Sequence, residues 1–308
     1  SRGLGDVYKR QMKSKILFSV GTIGVLFMMA GQLSFSINDS YVKLVVKNIG
    51  DDNSLYSVIF LRGLVTSSLL GLYLIFFEKK NLIKILSIKS FHIRGLYEVL
   101  TALFFLVGLI LLPISEVYTL LMTNPFFVTI FAFLFLGEKV GIRRWCAVIV
   151  GFLGVLVVVN PQNFQFNYLL VLPILAAIFL TIRDIATKSL ATKSNSVEIT
   201  FVTALLITGF AGLGSIIFGY QVRSEDVNYI LASSIFVLFG YLFSVLTVFY
   251  APLSLTASAR YSVIIFGMIF GYLILGETPT YNMIIGAIII TLSGLFVIKR
   301  EKEIGKIK

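Results

Sequence analysis

Cysteine and histidine are almost missing from this chain: 308 residues contain one of each, Cys146 and His92. A lone cysteine excludes an internal disulfide and a cysteine-rich metal site. A lone histidine, set among basic residues, removes Ser/His/Asp arrangements and metal clusters. No catalytic residue, metal or cofactor is therefore expected. Charge is scarce too, at 13% of residues against 57% hydrophobic, with a mean hydropathy of +0.95. So few charges cannot solvate the surface of a soluble protein of this length, which places the chain in a lipid bilayer. No Gly-x-x-x-x-Gly-Lys-Ser/Thr run is present, so the chain has no evident means of hydrolysing ATP.

What is abundant is long apolar runs. A hydrocarbon core of about 30 Å takes roughly 20 residues of helix, and ten segments meet or approach that length: 16–37, 55–77, 93–112, 114–136, 142–159, 168–186, 198–218, 229–250, 254–275 and 281–298. The fold class expected is an all-α polytopic membrane protein of ten transmembrane helices. Pro113 and Pro252 separate the third from the fourth segment and the eighth from the ninth, because proline lacks a backbone donor and disfavours helix just before it. Residues 1–11, polar and upstream of Met12, are expected to form a leader outside the fold.

The net charge of +11 raises the question of a nucleic-acid partner. Position answers it. With the amino terminus in the cytoplasm, 18 Lys and Arg residues fall on the inner side and only Lys43, Lys47 and Arg223 on the outer, leaving Arg62 and Arg260 within the membrane and three in the leader. That is a topology signal, with both termini cytoplasmic in an inner membrane, and no nucleic acid is expected.

Residues 113–138 and 252–277 align without a gap at an offset of 139, with nine of 26 positions identical. Both copies open with Pro-x-Ser and close on Leu-Gly-Glu. From the fourth segment to the ninth is five crossings, an odd number, so the copies enter the membrane from opposite sides. Two inverted five-helix halves result, 12–161 and 162–299, with a basic tail over 300–308. Such halves, packed about a pseudo-two-fold axis in the membrane plane, suit a carrier that opens one midplane site to either side in turn.

Several motifs resemble one family. Asn124-Pro125 inside the fourth segment, Leu136-Gly137-Glu138-Lys139 followed by Arg143-Arg144-Trp145, the run from Gly151 to Val155, and Leu275-Gly276-Glu277 are similar to the drug/metabolite transporter superfamily, EamA type, over essentially 12–299. Asn38-Asp39 with Lys43, and Arg62, resemble the branch that carries S-adenosylmethionine and other metabolites or amino acids. The resemblance implies a secondary transporter of a small organic solute, working as a monomer or homodimer. An ion channel or structural subunit is the alternative, although channels are usually symmetric about the pore axis. An intramembrane enzyme lacks the His, Cys or acidic cluster it needs.

Ionisable groups inside a bilayer are functional candidates by default. Arg62 and Arg260 lie six or seven residues inside their segments; each either faces a cavity and holds a substrate anion, or snorkels or locks helices as an ion pair. Tyr118, Asn124, Tyr241, Tyr250 and Tyr261 read either as cavity contacts or as packing. Glu98 pairs naturally with Arg94 four residues earlier, and Glu116 complements a helix start, yet both are coupling candidates. Asp39 with Lys43 and Asp184 with Lys188 share a four-residue spacing; they read either as latches between the halves or as ordinary pairs on solvated helix ends. Glu138 and Glu277 are expected to fix loops. Gly151 with Gly154 and Gly209 with Gly212 suggest close helix packing.

Overall fold

A computed structural model describes residues 2–135, 141–159, 167–190, 195–250 and 259–305. Among them the regular structure is helical, with no strand. The helices are α1 (Arg2–Ile49), α2 (Ser54–Phe76), α3 (Leu82–Leu86), α4 (Lys89–Leu111), α5 (Ile114–Leu121), α6 (Asn124–Phe135), α7 (Ile142–Val159), α8 (Val171–Leu190), α9 (Ser196–Phe218), α10 (Val227–Tyr250), α11 (Ser262–Leu275) and α12 (Tyr281–Gly305). Among the described residues six stretches are long and apolar enough to cross a membrane: Ser54–Phe76, Lys89–Leu111, Ile114–Phe131, Tyr168–Thr187, Ser196–Phe218 and Ser224–Ser244. Trp145–Val158, Ser262–Leu275 and Tyr281–Phe296 are shorter apolar helices. The expected hairpin at Ala251-Pro252 and the Leu-Gly-Glu turn ending at Glu138 lie outside the described residues.

Helices pack in a regular scheme. The main partnerships are α1 with α10, α4 with α8, α2 with α9, and α7 with α12. Further contacts join α1 to α11, α5 and α6 to α8, α4 to α9, and α2 to α10. Outward faces remain apolar: Leu69 and Leu72 on α2, Leu153 and Leu156 on α7, Leu273 on α11 and Leu292 on α12 are all exposed. In water such a surface would be a liability; in lipid it is the solvated face.

Three local features differ from the sequence expectation. The first helix does not stop at Ile37 but runs on through the polar stretch to Ile49, because Asn38, Asp39, Ser40 and Lys43 are buried and find partners inside the bundle. The fourth segment is broken into α5 and α6 by a turn at Met122 and Thr123. Pro125 therefore sits in the first turn of α6, where its missing N–H costs nothing, and not mid-helix. Finally, Gly209 has open space around it, so it is not a packing glycine, whereas Gly151 abuts Phe126, Gly154 abuts Ile289 and Ile290, and Gly212 abuts Phe60.

Side-chain contacts mark the two ends of the bundle. At one, the Asp51 end, Asn48 Nδ2 donates to Asp226 Oδ1 at 2.9 Å and Gln221 Nε2 to Asp51 Oδ2 at 2.8 Å. The backbone N–H of Asn53, aided by Gln221, holds the half-buried Asp51 carboxyl below its usual range. At the other, the Glu198 end, Lys80 Nζ lies 3.1 Å from Glu198 Oε1 and Asn195 Nδ2 donates to Glu78 Oε2 at 2.7 Å.

Candidate functional site

A cavity of about 260 Å³ lies within the helices and extends from Asp39 and Tyr118 at mid-depth to Ser196 at the Glu198 end. α1 lines it with Met28, Gln32, Phe35, Asn38 and Asp39, whose spacing of three or four residues keeps one helix face inward. α2 adds Arg62; α4 adds Arg94, Glu98, Thr101 and Phe105; α8 adds Arg183, Asp184 and Thr187; α10 adds Tyr241 and Ser244; and Arg260 enters just before α11. Four arginines and three carboxylates thus meet in a body whose outer surface is apolar.

These charges form two groups. In the first, Asn38 Nδ2 donates to Asp39 Oδ1 at 2.7 Å, the Tyr118 hydroxyl donates to Asp39 Oδ2 at 2.6 Å, and Arg62 Nη1 donates to Asn38 Oδ1 at 3.0 Å. The second is a chain of pairs. Arg260 Nη1 reaches Asp184 Oδ2 at 2.7 Å, Arg183 Nη2 reaches Asp184 Oδ1 at 2.6 Å, and Arg183 Nη1 reaches Glu98 Oε1 at 2.8 Å. Arg94 Nη2 then lies 2.8 Å from Glu98 Oε2, an ion pair whose angle makes no hydrogen bond. Arg94 continues through Nη1 to the Thr203 hydroxyl at 2.6 Å and through Nε to that of Thr187 at 3.1 Å. Desolvating that many charges is tolerable because every charge in the chain of pairs has a counter-charge, while Arg62 and Asp39 are held by neutral hydrogen-bond partners.

The Asp51 end is closed by a different contact. Lys43 Nζ pairs with Glu277 Oε1 and donates to the Leu112 carbonyl, an acceptor that α4 cannot use itself because Pro113 ends it. Glu277 Oε2 accepts the Ile114 N–H at 2.8 Å, satisfying an orphan donor at the start of α5. Gly276, with φ of 71°, makes the left-handed turn that brings Glu277 back from α11.

Seven of the expected site residues line the cavity: Arg62, Tyr118, Tyr241, Arg260, Asp39, Glu98 and Asp184. Asn124 does not. It is buried, donates to the Thr181 hydroxyl at 2.8 Å and seals the helix break. Tyr261 is buried behind the cavity against Gly294, its hydroxyl unpartnered among the described residues. Glu116 is half-buried near Lys43 and off the cavity. Tyr250 is exposed and packs against Phe27 with the rings tilted at 45°. The side chain of Lys188 lies outside the described residues. Asp39 and Lys43 do not pair with each other, and neither stands on a solvated helix end: Asp39 binds Tyr118 and Asn38, while Lys43 binds Glu277. Burial of the helix makes each seek a partner elsewhere in the chain.

Arg94 and Arg183 were assigned to cytoplasmic ends by sequence and are cavity residues. The helix bounds explain the shift. α4 begins at Lys89 and α8 runs to Leu190, each about one turn beyond the apolar run, which carries these arginines inward along their helices. The adjacency of Arg183 to Asp184, and the Arg94–Glu98 spacing, were the available signal.

A family model described as the EamA-like transporter family matches residues 22–160 and again 167–299, so this chain belongs to that family. It is 27% identical over 287 residues to an S-adenosylmethionine uptake transporter of Rickettsia prowazekii, covering 91% of this chain and 94% of the relative. A riboflavin transporter of Rhizobium johnstonii is 30% identical over 200 residues, 63% of this chain and 65% of the relative. A pseudopaline exporter of Pseudomonas aeruginosa is 23% identical over 281 residues, 91% of this chain and 97% of the relative. A solved crystal structure shares the fold with a TM-score of 0.59 at 15% identity, covering 90% of this chain and 98% of that one. Its relatives are transporters of small metabolites, and the chain is a multi-pass helical membrane protein.

Proposed function

We propose that the protein is a secondary transporter that moves a small organic metabolite, an amino acid, S-adenosylmethionine or a related solute, across the inner membrane by alternating access. The observation that carries this reading is the charged cavity: groups this costly to bury in a bilayer are retained where a polar solute passes. The relatives' names support a metabolite as cargo and include both an uptake protein and an exporter. Both termini are assigned to the cytoplasm, which makes the Glu198 end the inner one.

The reading includes ten crossings arranged as two inverted halves, 12–161 and 162–299. The double family match supports the duplication. So does the packing scheme. If the first five crossings map onto the second five, the pair α1 with α10 becomes the pair α8 with α4, and both are present. Likewise α1 with α11 becomes α8 with α5 and α6, and α4 with α9 becomes α10 with α2. The pairs α2 with α9 and α7 with α12 map onto themselves. A pseudo-two-fold axis predicts that pattern of exchange.

The test is solute movement in proteoliposomes containing the purified chain. Saturable uptake accelerated by unlabelled solute on the opposite side is expected. Linear, unsaturable flux with every solute in a panel of amino acids, nucleosides, vitamins and S-adenosylmethionine would overturn the carrier reading.

A further inference from the structure

Three of the four cavity arginines are already engaged with carboxylates: Arg94 with Glu98, Arg183 with Glu98 and Asp184, and Arg260 with Asp184. Arg62 is not. Its guanidinium makes a single hydrogen bond, to Asn38, and has no carboxylate within 4.0 Å among the described residues. Yet the residue is only 6% exposed and lines the cavity. Four of its five N–H donors are therefore without a hydrogen-bond partner among the described residues, in a side chain that lines the cavity.

The surroundings orient this group and set what it accepts. Asn38 Nδ2 donates one hydrogen to Asp39, and its carbonyl oxygen accepts from Arg62, which orients the fork. Tyr118 in turn holds Asp39. The Tyr241 hydroxyl, also at the cavity, has no hydrogen-bond partner among the described residues. Two aromatic pairs flank this corner: Phe35 with Tyr241, centroids 5.6 Å apart edge to face, and Phe105 with Tyr118, stacked at 5.9 Å. A desolvated, preoriented guanidinium matches a planar carboxylate bidentately. Asp39 one side chain away disfavours a doubly charged phosphate in the same corner.

We infer that Arg62 is the substrate's anion receptor, and that the cavity takes a solute bearing one carboxylate, with an apolar or aromatic body lying between the Phe35–Tyr241 and Phe105–Tyr118 pairs. The inference rests on the transport reading for its biological sense, but it is a claim about binding and is tested as one. A bidentate guanidinium–carboxylate pair in a dry site contributes about tenfold or more to affinity.

The experiment is equilibrium binding to the purified full chain in detergent, read by thermal shift and calorimetry. The probes are phenylalanine and 3-phenylpropanoate, each beside its methyl ester, which removes the carboxylate charge and keeps the body. At least one acid is expected to bind about tenfold or more tighter than its ester. Arg62→Gln should abolish that preference and Arg62→Lys should weaken it, keeping the charge but losing the fork. If Arg62→Gln does not fold, the acid-to-ester ratio of the unaltered chain still decides. Equal binding of acid and ester, or no binding of either acid, overturns the assignment. Counterflow separates the two readings: acid binding without counterflow overturns transport and leaves the receptor standing, whereas counterflow of a solute lacking a carboxylate, retained in Arg62→Gln, overturns the receptor alone.

Discussion

Removing Glu277 probes the closure of the Asp51 end. Its side chain is 22% exposed and that of Lys43 11%, so the pair is largely out of water without being sealed. Stripping one partner from a fully buried pair costs about 3–5 kcal/mol, most of it from the charge left behind. Lys43 retains the Leu112 carbonyl as an acceptor, which lowers the expected cost to about 2–3 kcal/mol. Loss of the acceptor for Ile114 N–H adds about 1 kcal/mol, the usual worth of a helix cap. Glu277→Ala should therefore destabilise by about 3–4 kcal/mol, and Glu277→Gln, which keeps an acceptor for Ile114, by about 2 kcal/mol. The assay is reversible unfolding in mixed micelles of the unaltered chain, Lys43→Met, Glu277→Gln and the double variant. The cycle should give a coupling near 2 kcal/mol. A coupling under about 0.5 kcal/mol would refute the reasoning, since residues in no contact add to within that margin.

Other outcomes rest on the same geometry. Arg260→Ala leaves Asp184 held by Arg183, so melting should change little while transport in proteoliposomes falls; unchanged transport would remove Arg260 from the site. A Cβ on Gly267 would meet the ring of Tyr118, and Gly267→Ala should push that hydroxyl off Asp39, costing about 1–3 kcal/mol of stability together with transport activity. Gly209→Ala meets nothing; it should be neutral or stabilise α9 by about 0.5–1 kcal/mol, checked by thermal melting.

Much of the architecture was legible in the sequence because a bilayer imposes a simple code. Apolar runs give helices, Pro113 marks the boundary between α4 and α5, and the repeated Pro-x-Ser to Leu-Gly-Glu frame matches the double family match. Cavity depth was less legible. Arg62 and Arg260 stood out as charges inside apolar runs. Arg94 and Arg183 did not, because a charge at the edge of a run looks like an end charge whether the helix stops there or continues for another turn. Lys43 and Glu277 were hidden for a related reason: 234 residues separate them, and only the left-handed turn at Gly276 brings them together. Asn124 misled in the opposite sense. A polar residue beside a proline suggested an opening toward substrate, yet its side chain is spent on Thr181 to close the break between α5 and α6.

The central claim is that one cavity is opened to the two sides in turn, with the Lys43–Glu277 contact closing one of them. The most direct measurement is labelling of a single cavity thiol, Ser244→Cys, in a Cys146→Ser background, by a membrane-impermeant maleimide applied to vesicles of each orientation. The same reporter is then read with Lys43→Cys and Glu277→Cys bridged by a bifunctional thiol reagent. The unbridged protein should label from both sides. The bridged protein should label only from the Glu198 end. Labelling from both sides that survives the bridge would contradict alternating access through this closure.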